Sequence, residues 1–231
     1  MATPDGLFEL EGRPTAQLIA DHLRELIIQG IFRPGQQINE SVLAGQLSTS
    51  RGPVREALQR LTQEGILVSL RNRGVFVTEL TIDDIREIYA VREVVEKASA
   101  EILLTAGQSQ IDRTWQSLKE TIAEMATQES SDWQAISRLD MQFHTSFVAG
   151  TKNSRLMRIY DTLAAETRMC IQNLRVTYPR VDILVREHQE ILDMLGLRDN
   201  EGLQRAISHH MRKAVDDLNA TQQDRADPVE R

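Results

Sequence analysis

Five side chains between residues 92 and 210 have types and spacings that could do chemistry. Asp140 and His144 stand four residues apart, on the helical face that also carries Ile136, Phe143 and Phe147. An ionised carboxylate and an imidazole at that spacing either form a salt-linked pair or converge on a metal. His188 shares a face with Leu184, Ile191 and Leu195, and His210 lies at the edge of a stripe made by Leu203, Ile207, Ala214 and Leu218, with His209 turned away. Three imidazoles and one carboxylate turned inward from three helices are hard to explain as separately satisfied core residues. Their N3O donor set suits Zn, Ni, Mn or Fe, and a six-coordinate ion would keep two positions for water or a bidentate ligand. Arg92 falls on the stripe of Ile85, Ile88, Val95 and Ile102. A guanidinium facing a core requires an anion. Either Glu96, one turn on, supplies it, or an acidic ligand does.

A second constellation lies at residues 50–64. Ser50 is placed to cap a helix, Pro53 fits its first turn and Gly65 ends it. Val54, Ala57, Leu58 and Leu61 form the apolar stripe, while Arg51 and Arg55 stand together near the start. Two guanidiniums at a helix N-terminus oppose its dipole. They form either a plain solvated face or a recognition helix that meets phosphates and base edges in a DNA major groove. Beyond Gly65, the β-rich runs 66–70 and 75–78 are joined by Arg71-Asn72-Arg73-Gly74, which predicts a hairpin with a basic tip able to reach a minor groove or the backbone.

These residues need helices to position them. Ile19, Leu23, Leu26 and Ile27 predict a first helix ending near Gly30 and Pro34-Gly35. A short one follows over 39–47, with Val42, Leu43 and Leu47 inward. Thr81 with Asp84 has capping-box form and opens a long helix ending at Gly107, and Ser109 with Asp112 is expected to cap the next. Further helices follow over 131–149 and after Asn153-Ser154, where Leu156, Ile159, Tyr160 and Leu163 set the spacing. A turn containing Pro179 comes next, then the two His-bearing helices. His22, on the first helix, has no special role.

Composition limits the reading. A chain of 231 residues, 41% hydrophobic, has room for two cores. The single Cys170 excludes an intrachain disulfide, and no signal-peptide pattern or bilayer-length apolar run is present, so a soluble cytoplasmic protein with no membrane association is expected. The net charge of -7 argues against indiscriminate nucleic-acid binding. Yet residues 51–73 carry five Arg against two Glu, which confines positive charge to the first domain. The expected fold is mainly α. It comprises a flexible arm at 1–13, a winged helix-turn-helix at 14–79 with three helices and a β-hairpin wing, an antiparallel bundle of about six helices at 80–222, and a disordered tail at 223–231.

Two resemblances cover most of the chain. The run Pro34-Gly35, Leu43-Ala44, Ser50-Arg51-Gly52-Pro53-Val54-Arg55-Glu56-Ala57-Leu58, Leu61, Glu64-Gly65 and Asn72-Arg73-Gly74-Val75-Phe76-Val77 resembles the winged helix-turn-helix of GntR-family bacterial transcription regulators. The resemblance implies that Arg51 and Arg55 contact bases or phosphates, that Ser50 and Gly52 approach the backbone, and that Gly74 lets the wing tip, with Arg73, lie close to DNA. Ser41 stands where many relatives have Arg, and Ser48 where they have Gly. Residues 81–222, through Val91-Arg92-Glu93-Val94-Val95-Glu96, Asp140-Met141-Gln142-Phe143-His144, Glu187-His188-Gln189-Glu190-Ile191 and His210-Met211, resemble the FCD effector domain of the FadR-type subfamily. That implies an all-helical bundle, a dimer, a divalent metal on Asp140, His144, His188 and His210, and a small organic acid whose carboxylate Arg92 binds.

The expected function is a homodimeric regulator, most simply a repressor, that binds an inverted-repeat operator in double-stranded DNA under control of a carboxylate metabolite. Two rivals are weighed. A metal-dependent enzyme could use an open site to activate water, but no additional general base is evident and the DNA-binding module would be unexplained. A regulator with a purely structural metal is the other.

Overall fold

The structure is a computed structural model that describes residues 15–129, 132–172 and 181–226. The expected arm at 1–13 and the Pro179 turn lie outside the described residues. The chain divides into two compact units between Thr78 and Glu79.

The first unit contains α1 (Thr15–Ile28), β1 (Gln37–Ile38), α2 (Glu40–Gln46), α3 (Arg51–Gln63), β2 (Leu67–Leu70) and β3 (Gly74–Val77). Ala20 and Leu23 of α1 and Val54, Ala57 and Leu61 of α3 are buried, and the two helices pack together. Arg24 reinforces the packing by donating from Nε and Nη2 to the two carboxylate oxygens of Glu64 at 2.8 and 2.9 Å. The sheet is antiparallel in the order β1-β3-β2, with Leu70 opposite Gly74 across the hairpin. Strand β1, two residues long, was too short for any periodicity to reveal. The wing turn has Asn72 in the left-handed region at φ +61°, and Gly74 has φ +103°.

Several local expectations are corrected. Ser50 occupies the N-cap of α3 but makes no side-chain capping bond, whereas Asn39 caps α2 by accepting from the backbone N–H groups of Ser41 and Val42. Val42 is 54% exposed, because a two-turn helix resting on α3 can bury only one narrow edge, here Leu43 and Ala44. Ser48 adopts φ +49°, which explains why Gly suits that turn.

The second unit contains α4 (Ile82–Thr105), α5 (Gln108–Ala126), α6 (Trp133–Ala149), α7 (Ser154–Gln172), α8 (Val181–Leu197) and α9 (Asn200–Ala226), all the helices among its described residues. Thr81 and Asp84 form the reciprocal capping box at the start of α4. Ser109 does not cap α5, whose N-cap is Gly107, and Ile159 is half exposed rather than inward. Helix α9 continues to Ala226, into the segment expected to be a tail. Helix α4 packs on α9 and α7, α5 on α6 and α8, and α8 on α9. Phe143, Phe147, Leu118, Ile191, Leu195, Leu203 and Ile207 fill the centre. Helices α6, α8 and α9 each turn an apolar stripe inward, so the polar residues on those stripes enter a shared interior.

Candidate functional site

The polar residues on those stripes do meet. Asp140 and His144 project from α6, His188 from α8 and His210 from α9; all four are buried, and their ligand atoms lie within 4.8 Å of one another. His144 Nε2 is 3.0 Å from His210 Nε2 and 3.3 Å from His188 Nε2, and His188 Nε2 is 3.3 Å from Asp140 Oδ1. Each imidazole turns its other nitrogen outward to an oxygen at 2.8 Å: Glu96 Oε2 for His144, the Leu184 carbonyl for His188 and Glu187 Oε2 for His210. A carbonyl or carboxylate oxygen accepts, so the outer Nδ1 atoms carry the protons and three Nε2 lone pairs face one another beside a carboxylate. That arrangement repels itself unless a cation lies among the donors. Outer oxygens that fix the tautomer are the usual support of metal-binding histidines. The residues therefore fit a divalent ion. Burial, then the charge of Arg92, holds the His144 imidazole well below its ordinary range, which keeps it neutral as a ligand must be. Asp140 Oδ1 faces the same space, 3.3 Å from His188 Nε2 and 3.9 Å from His144 Nε2, and adds a carboxylate oxygen to the three lone pairs.

Beside this cluster Glu96 joins three partners. It accepts from Arg92 Nη2 at 3.3 Å and Tyr160 Oη at 2.8 Å, and it meets His144 Nδ1. Burial pushes its carboxyl up, while Arg92 and the Tyr160 hydroxyl draw it down. Burial likewise keeps Tyr160 protonated as a donor. Arg92 is 1% exposed, and its guanidinium sits 4.8 Å over the Tyr89 ring. Of the two anions weighed for Arg92, Glu96 is in place, yet Arg92 Nε remains a buried polar atom without a partner. An orphaned donor of this kind costs about 1–3 kcal/mol, more when charged. The guanidinium thus retains hydrogen-bonding capacity for a second acid.

In the first unit Arg51 and Arg55 stand on α3 and share one acceptor. Arg51 Nε donates to Glu40 Oε1 at 2.9 Å, Arg55 Nε to Oε2 at 3.1 Å and Arg55 Nη2 to Oε1 at 3.0 Å. The hydrogen bonds from Arg55 and then Arg51 hold the Glu40 carboxyl below its ordinary range. Ser50 and Gly52 are exposed, and a side chain at Gly52 would meet nothing of the protein. Gly74 has an internal reason to be glycine: besides its positive φ, a Cβ there would come within 2.9 Å of Gln37 Nε2, which donates to the Arg73 carbonyl. The exposed Arg73 guanidinium lies 5.7 Å from the Phe76 ring.

Sequence reasoning missed Glu40, Glu187 and Tyr160, and saw Glu96 only as a partner for Arg92. Glu187 could have been found as the neighbour of His188. Nothing in the spacing of Glu40 or Tyr160 announces them, since each meets its partners through the fold.

Comparison with known proteins bears on both units. Residues 15–77 match the family model described as bacterial regulatory proteins, gntR family, and residues 87–213 match that of the FCD domain. The chain is 29% identical over 192 residues to an uncharacterized HTH-type transcriptional regulator, YdhC, of Bacillus subtilis (strain 168), covering 82% of this chain and 84% of that one. It is 28% identical over 218 residues to the gluconate operon transcriptional repressor of Bacillus licheniformis, covering 90% and 88%. A crystal structure of a GntR transcriptional regulator from Rhodococcus sp. RHA1 superposes with a TM-score of 0.70 at 26% identity, covering 89% of this chain and 97% of that one.

Proposed function

The chain belongs to the GntR family of bacterial regulatory proteins and carries an FCD domain, and from that premise we propose a homodimeric repressor whose operator affinity is set by a small carboxylate held at a divalent metal centre. Its relatives are transcription regulators, not enzymes. The observation that carries the metal centre is the convergence of three Nε2 lone pairs and Asp140, each imidazole anchored on its outer side. A bound Zn, Ni, Mn or Fe ion would offer its remaining coordination positions to an acid. Asp140, His144, His188 and His210 hold the ion, and Arg92 receives the effector's carboxylate through its unpartnered Nε. The operon named for the Bacillus licheniformis relative concerns a hydroxy acid, which accords with that effector class.

DNA recognition falls to Ser50, Arg51, Gly52 and Arg55 on the recognition helix and Arg73 and Gly74 on the wing. Residues 14–79 form the DNA-binding domain and 80–222 the effector and dimerisation domain of a FadR-type regulator. Ala90, Val91 and Val94 leave an apolar face of α4 exposed, Val94 at 68%, which supports a homodimer reading the two halves of an inverted repeat. If acid and operator favour different dimer states, each weakens the other by the same factor, typically ~1–3 kcal/mol.

Thermal unfolding tests this reading. Metal-loaded and chelated protein are melted with gluconate, citrate or other small acids. An acid at 100 times its dissociation constant should stabilise the loaded form by about 2.7 kcal/mol and leave the chelated form unmoved. Chelation that lowers the melting point while no acid raises it would leave a purely structural metal, the reading that the Arg92–Glu96 pair favours. Chelation without effect would remove the metal altogether.

A further inference from the structure

The two arginines of α3 do not stand free. One carboxylate, on a different helix, takes hydrogen bonds from both: Arg51 through Nε, Arg55 through Nε and Nη2, all between 2.9 and 3.1 Å. The side chains differ in exposure, Arg51 at 62% and Arg55 at 59% against 21% for Glu40. The acid is therefore the covered member and the guanidiniums the outward ones. Each guanidinium has five N–H donors, so both keep free donors while tied to Glu40. We propose that Glu40 is a selectivity residue for DNA binding, fixing the relative placement of Arg51 and Arg55 and cancelling one of their two charges.

Two effects follow, and they act in opposite directions on the two kinds of DNA. Binding to arbitrary sequence depends chiefly on how many phosphates the protein neutralises, so a carboxylate at this position weakens it. Reading a base edge depends on presenting paired donors in fixed geometry, as an arginine does to guanine O6 and N7, so a carboxylate that holds the arginines in place before binding favours it. The ratio of the two affinities, which is what a regulator needs among competing sites, rises on both counts. The inference rests on α3 being the recognition helix.

The test uses the full chain, a duplex that the wild-type protein recovers from a random library, and a random-sequence duplex of equal length, each titrated across salt concentrations. Glu40→Gln keeps the shape and removes the charge. It should bind random DNA several-fold tighter, with a salt slope steeper by up to about one unit, and lower the ratio of selected to random affinity several-fold. Glu40→Asp keeps the charge and shortens the reach. It should leave the salt slope on random DNA unchanged and weaken the selected duplex alone. A ratio and slope in Glu40→Gln equal to wild type would overturn the proposal, as would equal weakening on both duplexes; a change in melting temperature alone would make Glu40 merely part of α2. Arg51→Ala and Arg55→Ala are measured alongside. If they keep wild-type affinity for the selected duplex, the recognition-helix reading fails; if they lose it while Glu40→Gln keeps the ratio, only the role of Glu40 fails.

Discussion

Two glutamates in this protein each hold an arginine, and their surroundings make them opposites. Glu40 is shared by Arg51 and Arg55 at the surface, where water screens the charges and can replace any partner that leaves. Glu96 is shared by Arg92, Tyr160 and His144 at 1% exposure, where no water substitutes for a lost partner. The first arrangement orients two guanidiniums while leaving their other donors open to solvent, which suits groups that must meet DNA. The second fixes positions, which suits the support of a ligand cluster. The same pair of residue types serves contact in one unit and architecture in the other.

The comparison breaks most readily at the buried end. Glu96→Ala leaves Arg92 charged in the core and strips Tyr160 and His144 of an acceptor; a loss of ~3–5 kcal/mol is expected in denaturant unfolding, because removing one partner of a buried pair exposes the other's full desolvation cost. Adding Arg92→Met should restore part of that loss, and no restoration would show that the unpaired charge is not the cause. At the exposed end the effect moves from stability to binding. Arg51→Ala and Arg55→Ala should each weaken operator binding about tenfold to a hundredfold in a fluorescence titration, with the melting temperature unchanged. A mutant that melts lower and binds normally would reverse the contrast between the two units. The smallest effect lies in the turn before α3, where Ser48 holds φ +49°. Ser48→Gly should raise stability by about 1 kcal/mol or less without altering the operator contacts, as differential melting and the same titration would report.

The elements themselves were largely legible. Thr81 and Asp84 announced the start of α4 because a capping box is local chemistry, and the inward positions of Asp140, His144, His188 and His210 followed from helical periodicity. Local patterns failed where a local alternative was equally good. Ser109 has the form of a cap, yet α5 begins at Gln108. Val42 has the character of a core residue, yet so short a helix buries only one edge.

By itself the sequence determined which side chains face each core, since burying apolar stripes forces every residue on them inward whatever its polarity. It thereby decided that three histidines and an aspartate would share an interior with an arginine. Only the tertiary structure decided their partners. Glu96 reaches Tyr160 across 64 residues, His210 reaches Glu187 across 23, and Glu40 reaches Arg51 and Arg55 across a turn between two helices. Hydrogen bonds act over about 3 Å, so a partner is set by which helices lie side by side and at what height. That is a property of the packed bundle and of no single segment.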